Sequence, residues 1–197
     1  MLKHILTNKC TRKCSYCITR NVHEEQETDL SRVEVLYRSI SNLHPDIMLT
    51  GGEPLLADHF CDIADLAGKN FNRVFLTTQN EMALYYSVCF KMFRAITFSI
   101  HDNPERYKVL NGATVYAAVM ADKYFYELPY MLKDAGFAGL TINEDQRSQD
   151  RFNECLLMAE PEIKDFSIRI NRRGRCMNDT IMIMPDLSII NDFSNYL

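Results

Sequence analysis

Hydrophobic and polar positions along the chain follow two periods, and the period switches at regular intervals. Lys3-His-Ile-Leu-Thr-Asn8 is apolar and β-branched without a helical repeat, which predicts a short strand. After the polar stretch Asn21 to Glu27, Val33, Leu36, Tyr37, Ile40 and Leu43 recur at helical spacing behind a Ser31-x-x-Glu34 capping box. A second strand is expected at Asp46–Thr50, then a helix burying Phe60, Ile63, Ala64 and Ala67. A third strand at Arg73–Thr78 precedes a helix marked by Met82, Tyr85, Tyr86, Cys89 and Phe93. Arg94–Ile100 is the fourth strand, and the loop from His101 to Ala113 leads into a helical region that Pro129 breaks or restarts. Strands five and six, Ala138–Asn143 and Asp165–Ile170, flank a helix bearing Phe152, Cys155, Leu156 and Ala159. The tail, Thr180 to Ile190, reads as two short strands around a Pro185-Asp186 turn.

Strands alternating with helices demand a parallel sheet with right-handed crossovers. Six such units are too few to close an eight-stranded barrel, so the expected fold class is α/β, a partial (β/α)6 TIM-like barrel with a short C-terminal hairpin extension. Strands four to six alternate strictly. If Ile96, Phe98, Leu140, Ile142 and Ile168 face the helices, then Thr97, Ser99, Thr141, Asn143, Ser167, Arg169 and Asn171 line an interior that needs a polar ligand. A two-layer sheet with one solvated face accounts for the same alternation.

Composition narrows the class. With 197 residues, 47% hydrophobic and 24% charged, the chain suits one domain, with a core over about 3–171 and an extension over 172–197. No apolar run approaches the ~20 residues of a membrane span, and the first cysteine arrives before a signal-peptide pattern could fit, so a cytoplasmic protein without membrane contact is expected. Seven cysteines, an odd number, speak for reduced thiols rather than a disulfide framework. A net charge of −4 argues against a nucleic-acid footprint; the one basic cluster is Arg169, Arg172, Arg173 and Arg175.

The candidate chemistry is Cys10-x-x-x-Cys14-x-x-Cys17, three thiols on one loop at the end of the first strand. A cubane iron–sulfur cluster normally takes four thiolates; three leave one iron open to a small molecule. A structural zinc site would need a fourth ligand, for which only His4 or His23 is near, and would leave Gly51-Gly52-Glu53-Pro54 unexplained. Otherwise His4, His23, His44 and His59 have no ligand-like spacing and read as surface residues. Cys61, Cys89 and Cys155 read as helix packing, whereas Cys176 falls in a loop after strand six.

The cysteine triad after a first strand, with Gly51-Gly52-Glu53-Pro54 after a second, resembles the radical S-adenosylmethionine (radical SAM) superfamily. By that resemblance Cys10, Cys14 and Cys17 would hold a [4Fe–4S] cluster and SAM would chelate its open iron. Reductive cleavage of SAM would then give a 5′-deoxyadenosyl radical that abstracts hydrogen from substrate. Tyr16 would lie beside the adenine, Gly51 and Gly52 would let the backbone approach the ligand, and Glu53 would accept from the SAM ammonium group. Thr78, in Thr77-Thr78-Gln79-Asn80, resembles the family's third-strand ending. Ser99 and Asn143 would sit by the ribose, and Arg169 by the SAM carboxylate or the substrate. Cys176 would donate hydrogen to a substrate radical, as in epimerases of the superfamily. The loop from Ser99 to Gly112 resembles the peptide-modifying and molybdopterin-type branch, which implies a peptide or small polar metabolite as substrate. An electron donor such as flavodoxin or ferredoxin, and a partner protein for substrate recognition, would complete the system. A catalytically silent protein binding SAM and a cluster would carry the same motifs.

Overall fold

A computed structural model describes residues 1–14, 17, 28–85, 90–110, 112–144, 163–171 and 181–190. The strands are β1 (Leu2–Ile5), β2 (Asp46–Thr50), β3 (Arg73–Thr78), β4 (Ala95–Ser99), β5 (Val115–Met120), β6 (Gly139–Asn143), β7 (Ser167–Asn171), β8 (Ile181–Ile183) and β9 (Ile189–Ile190). The helices are α1 (Leu30–Ile40), α2 (Phe60–Asn70), α3 (Met82–Tyr85) and α4 (Leu128–Asp134). Tyr86, Cys89 and the helix expected between strands five and six lie outside the described residues. The chain divides into two compact units: Met1–Thr78 with Met92–Arg94 and Met177–Leu197, and Gln79–Lys91 with Ala95–Cys176.

In the first unit the strands lie in the order β3-β2-β1-β8-β9, all neighbours parallel except the β8–β9 hairpin. Strong periodicity placed β2, β3 and the face of α2 where they are: Phe60, Ile63, Ala64 and Ala67 are all buried. α1 departs from expectation at both ends. Its cap is Asp29, whose Oδ1 accepts from the N–H and O–H of Ser31 at 2.9 and 2.7 Å, so the Ser31 hydroxyl is occupied and no capping box forms there. The helix stops at Ile40, which leaves Leu43 75% exposed rather than on the buried face. Cys61 is exposed on α2, not packed in the core. At the start of β2 and β3 the cross-strand partners Asp46 and Arg73 form a two-pronged ion pair, which holds the Asp46 carboxyl below the usual carboxylate range.

The second unit has the parallel order β7-β6-β5-β4. β5 occupies a stretch that the sequence pattern assigns to a helical region. Val115, Ala117, Ala118 and Val119 are all buried, so the alternation that marks a half-buried strand is missing. Pro129 restarts the chain as a helix rather than breaking one, in the first turn of α4 where its missing N–H costs nothing. In α3 the buried residues are Ala83 and Leu84, and Met82 and Tyr85 stay exposed, the reverse of the expected face.

Candidate functional site

The cysteine loop is fastened to the turn after β2. The N–H groups of Gly52 and Glu53 donate to the carbonyls of Thr7 and Lys9, each at 2.8 Å, and the Lys9 N–H donates to Thr7 Oγ1 at 3.1 Å. The approach is so close that only glycine fits. A Cβ on Gly52 would lie 2.4 Å from the Lys9 carbonyl oxygen and 2.7 Å from that of Asn8; one on Gly51 would lie 2.6 Å from the oxygen of Thr7. The close approach visible here is to the chain entering Cys10.

Glu53 is buried, 3% exposed, on an extended backbone that opens the short turn Pro54–Leu56. Its Oε1 accepts from the Leu55 N–H at 3.1 Å and from the Thr78 hydroxyl at 2.6 Å. Thr78 therefore serves to hold the carboxylate, a role not read from the sequence. The signal was available: Glu53 lies three residues past the end of β2 and Thr78 ends β3, its parallel neighbour.

The other end of the loop is held from inside the core. Thr28 donates both its N–H (3.1 Å) and its hydroxyl (2.9 Å) to the Leu6 carbonyl. That leaves Thr28 Oγ1 to accept from His4 Nε2–H at 3.3 Å, and His4 Nδ1 to accept from the Tyr37 hydroxyl at 2.6 Å. His4 is fully buried rather than a surface residue, and burial pushes its pKa from 6.5 down to about 3. Both ring nitrogens are engaged, so His4 is not placed to be the fourth ligand considered for zinc; His23 lies outside the described residues. Because the unfolded chain takes up this proton near pH 6.5 and the folded one does not until about 3, stability is full above 6.5 and falls as pH drops towards 3. Urea unfolding at pH 7.5 and 5.0 is expected to show the native protein losing about 2 kcal/mol more than a His4→Gln variant. Equal losses would show that His4 is not held neutral.

Cys10, Cys14 and Cys17 are half-buried and none is in a disulfide. The Arg12 N–H donates to Cys10 Sγ at 3.4 Å, and the Cys17 N–H to the Cys14 carbonyl at 3.2 Å. Among the described residues no three His, Cys, Asp or Glu side chains gather around a single-ion site. A cluster of several irons asks for less convergence, one thiolate per iron, and an N–H directed at a ligand sulfur is one of the features that tune such clusters. The donor set fits a [4Fe–4S] cluster with one iron unclaimed. Tyr16 and Cys176 lie outside the described residues.

Ser99, Asn143 and Arg169 belong to the second unit and share one face of its sheet. Ser99, Ala118, Thr141 and Arg169 are in register across four strands, and Met120, Asn143 and Asn171 form the next row. The Asn171 amide donates to Asn143 Oδ1 at 3.0 Å, and the Asn143 amide to the Val119 carbonyl at 3.4 Å. Among the described residues no helix is long and apolar enough to cross a membrane.

Parallel α/β units and a three-cysteine loop sealed to a Gly-Gly-Glu turn define a class of cofactor-binding barrel. The chain belongs to the Radical SAM superfamily, whose family model matches residues 4–128. That family implies SAM and a [4Fe–4S] cluster as cofactors. Streptococcus suis SuiB bound to S-adenosylmethionine matches with a TM-score of 0.67 at 13% identity, over 96% of this chain and 59% of that one. SuiB bound to the precursor peptide SuiA matches at 0.65 and 12%, over 96% and 58%. BtrN in complex with AdoMet and 2-DOIA gives 0.52 and 13%, over 99% and 73%. At these identities the likeness is one of fold: α/β, a partial TIM-like barrel whose sheet is not closed. The chain spans less than two thirds of the SuiB chains. No curated protein matches it in sequence.

Proposed function

We propose that this chain is a radical SAM enzyme in which Cys10, Cys14 and Cys17 hold a [4Fe–4S] cluster and leave one iron to S-adenosylmethionine. When bound, that pair supplies a 5′-deoxyadenosyl radical by one-electron reductive cleavage of SAM, and the radical removes a hydrogen atom from substrate. The observation that carries this reading is the double hydrogen bond from Gly52 and Glu53 to Thr7 and Lys9, which ties the cysteine loop to the Gly-Gly-Glu turn. Glu53, steadied by Leu55 and Thr78, offers its carboxylate to the SAM ammonium group. By the family resemblance Tyr16 is the candidate for the adenine and Ser99 for the ribose. Asn143, engaged with Asn171 and Val119, orients its neighbours on the same face.

The substrate is a peptide or a small polar metabolite, in line with SuiB having been solved with a precursor peptide. Reduced flavodoxin or ferredoxin supplies the electron. Anaerobic reconstitution with iron and sulfide, followed by dithionite and SAM, is expected to give an iron–sulfur charge-transfer band and 5′-deoxyadenosine by mass spectrometry. Stoichiometric zinc without that band sinks the proposal. A cluster that binds SAM yet releases no 5′-deoxyadenosine would instead mark a catalytically silent binding protein.

A further inference from the structure

Among the described residues, one cation on the polar face of the second unit's sheet stands without an acid. Arg169 ends the row Ser99, Ala118, Thr141, Arg169. With strands ~4.8 Å apart, the row runs about 14 Å from the Ser99 hydroxyl position to β7. Its other neighbours on that face, Tyr116, Ser167 and Asn171, are uncharged. The ion pairs among the described residues engage Lys9, Arg38, His59, Arg73 and Arg106, not Arg169. The opposite face is packed with hydrocarbon: Phe98 meets the rings of Tyr107 and Phe137 at centroid distances of 5.1 and 6.4 Å.

The Arg169 guanidinium is not loose. Its carbon sits 5.7 Å from the centroid of the Tyr116 ring. Tyr116 in turn lies across Gly139, where a Cβ would come within 3.1 Å of the ring's Cδ1. A guanidinium bonds in its own plane, so stacking one face on an aromatic ring leaves the N–H fork open at the edge. A carboxylate fits that fork with two parallel charge-assisted bonds. The Thr141 hydroxyl stands one strand away in the same row and Ser99 two strands beyond it.

The geometry points to a carboxylate-reading subsite, with Arg169 on Tyr116 as its cation and Thr141, its partner across β6 and β7, as a hydroxyl contact further along the ligand. Under the proposed function this makes the substrate a carboxylate-bearing one, such as an acidic peptide side chain, and releases Arg169 from the SAM carboxylate. The naming of the ligand as substrate rests on that function; the subsite itself does not.

Glutarate is the probe, on protein labelled with 15N-arginine and carrying its oxidised cluster, at constant ionic strength. The Arg169 Nε–H signal, assigned by its loss in Arg169→Lys, is expected to shift saturably with glutarate and not with neutral glutaramide. Tyr116→Leu is expected to weaken glutarate at least tenfold. No saturable shift, or an equal response to glutaramide, overturns the subsite. So does a shift of the same signal by SAM that glutarate competes away, since Arg169 would then serve the cofactor. Glutarate binding that persists in protein that fails to take up a cluster would keep the subsite while removing the proposed chemistry, so the two failures are separable.

Discussion

Gly52→Ala is expected to unfold the base of the cysteine loop and strip it of iron together. The added methyl group would sit 2.4 Å from one backbone oxygen and 2.7 Å from another, and neither can rotate away. Overpacking of this kind costs typically 1–3 kcal/mol and more where the obstacle is backbone. A loss of about 3 kcal/mol lowers the melting temperature of a chain this size by roughly 6–12 °C. Gly68→Ala is the control. Its Cβ would meet only the flexible end of Met92 at 3.1 Å, inside α2, where alanine is favoured over glycine by about 1 kcal/mol. Thermal unfolding and iron content of the two variants are expected to move apart; equal behaviour would show that the Gly52 contact does not set the loop.

Removing a thiol and disabling the carboxylate are expected to separate the cluster from SAM. Cys14→Ala takes away one of the three proposed iron ligands, and iron and 5′-deoxyadenosine should both fall to the background of reagents alone. Glu53→Gln keeps an oxygen for Leu55 and Thr78, so the fold and the iron are retained. A hydrogen bond between charged groups contributes about 1.5–3 kcal/mol, so SAM affinity should drop roughly ten- to a hundredfold. Retention of full SAM affinity in Glu53→Gln, measured by equilibrium dialysis, would remove Glu53 from the site.

The elements legible in the sequence were those with one clear period. β2, β3 and α2 each present a single apolar face; the limits of the two strands and the buried face of the helix came out correctly. β5 did not, because Val-Tyr-Ala-Ala-Val-Met is buried nearly throughout and its two alanines carry no period of either kind. The glycines were legible as a close approach but not as an approach to which partner, since that depends on Thr7 to Lys9 arriving from another strand. His4 was missed for a similar reason: its partners Thr28 and Tyr37 lie 24 and 33 residues away, and nothing local distinguishes a buried neutral imidazole from a solvated one. The polar face of β4, β6 and β7 was read from alternation alone, and the cross-strand register turned it into rows.

β1, the strand that runs into the cysteines, takes its outer neighbour from the far end of the chain, where Leu2, Lys3 and His4 pair with Ile181, Met182 and Ile183. During synthesis β1 can zip to β2 early, yet its other backbone edge stays exposed until the ribosome has released residue 183. The nascent chain thus carries its cysteine loop on a strand with one open edge until residues 181–183 arrive. An unpaired strand edge is a template for pairing with another chain, so the pairing of β1 with β8 covers the strand that leads into Cys10.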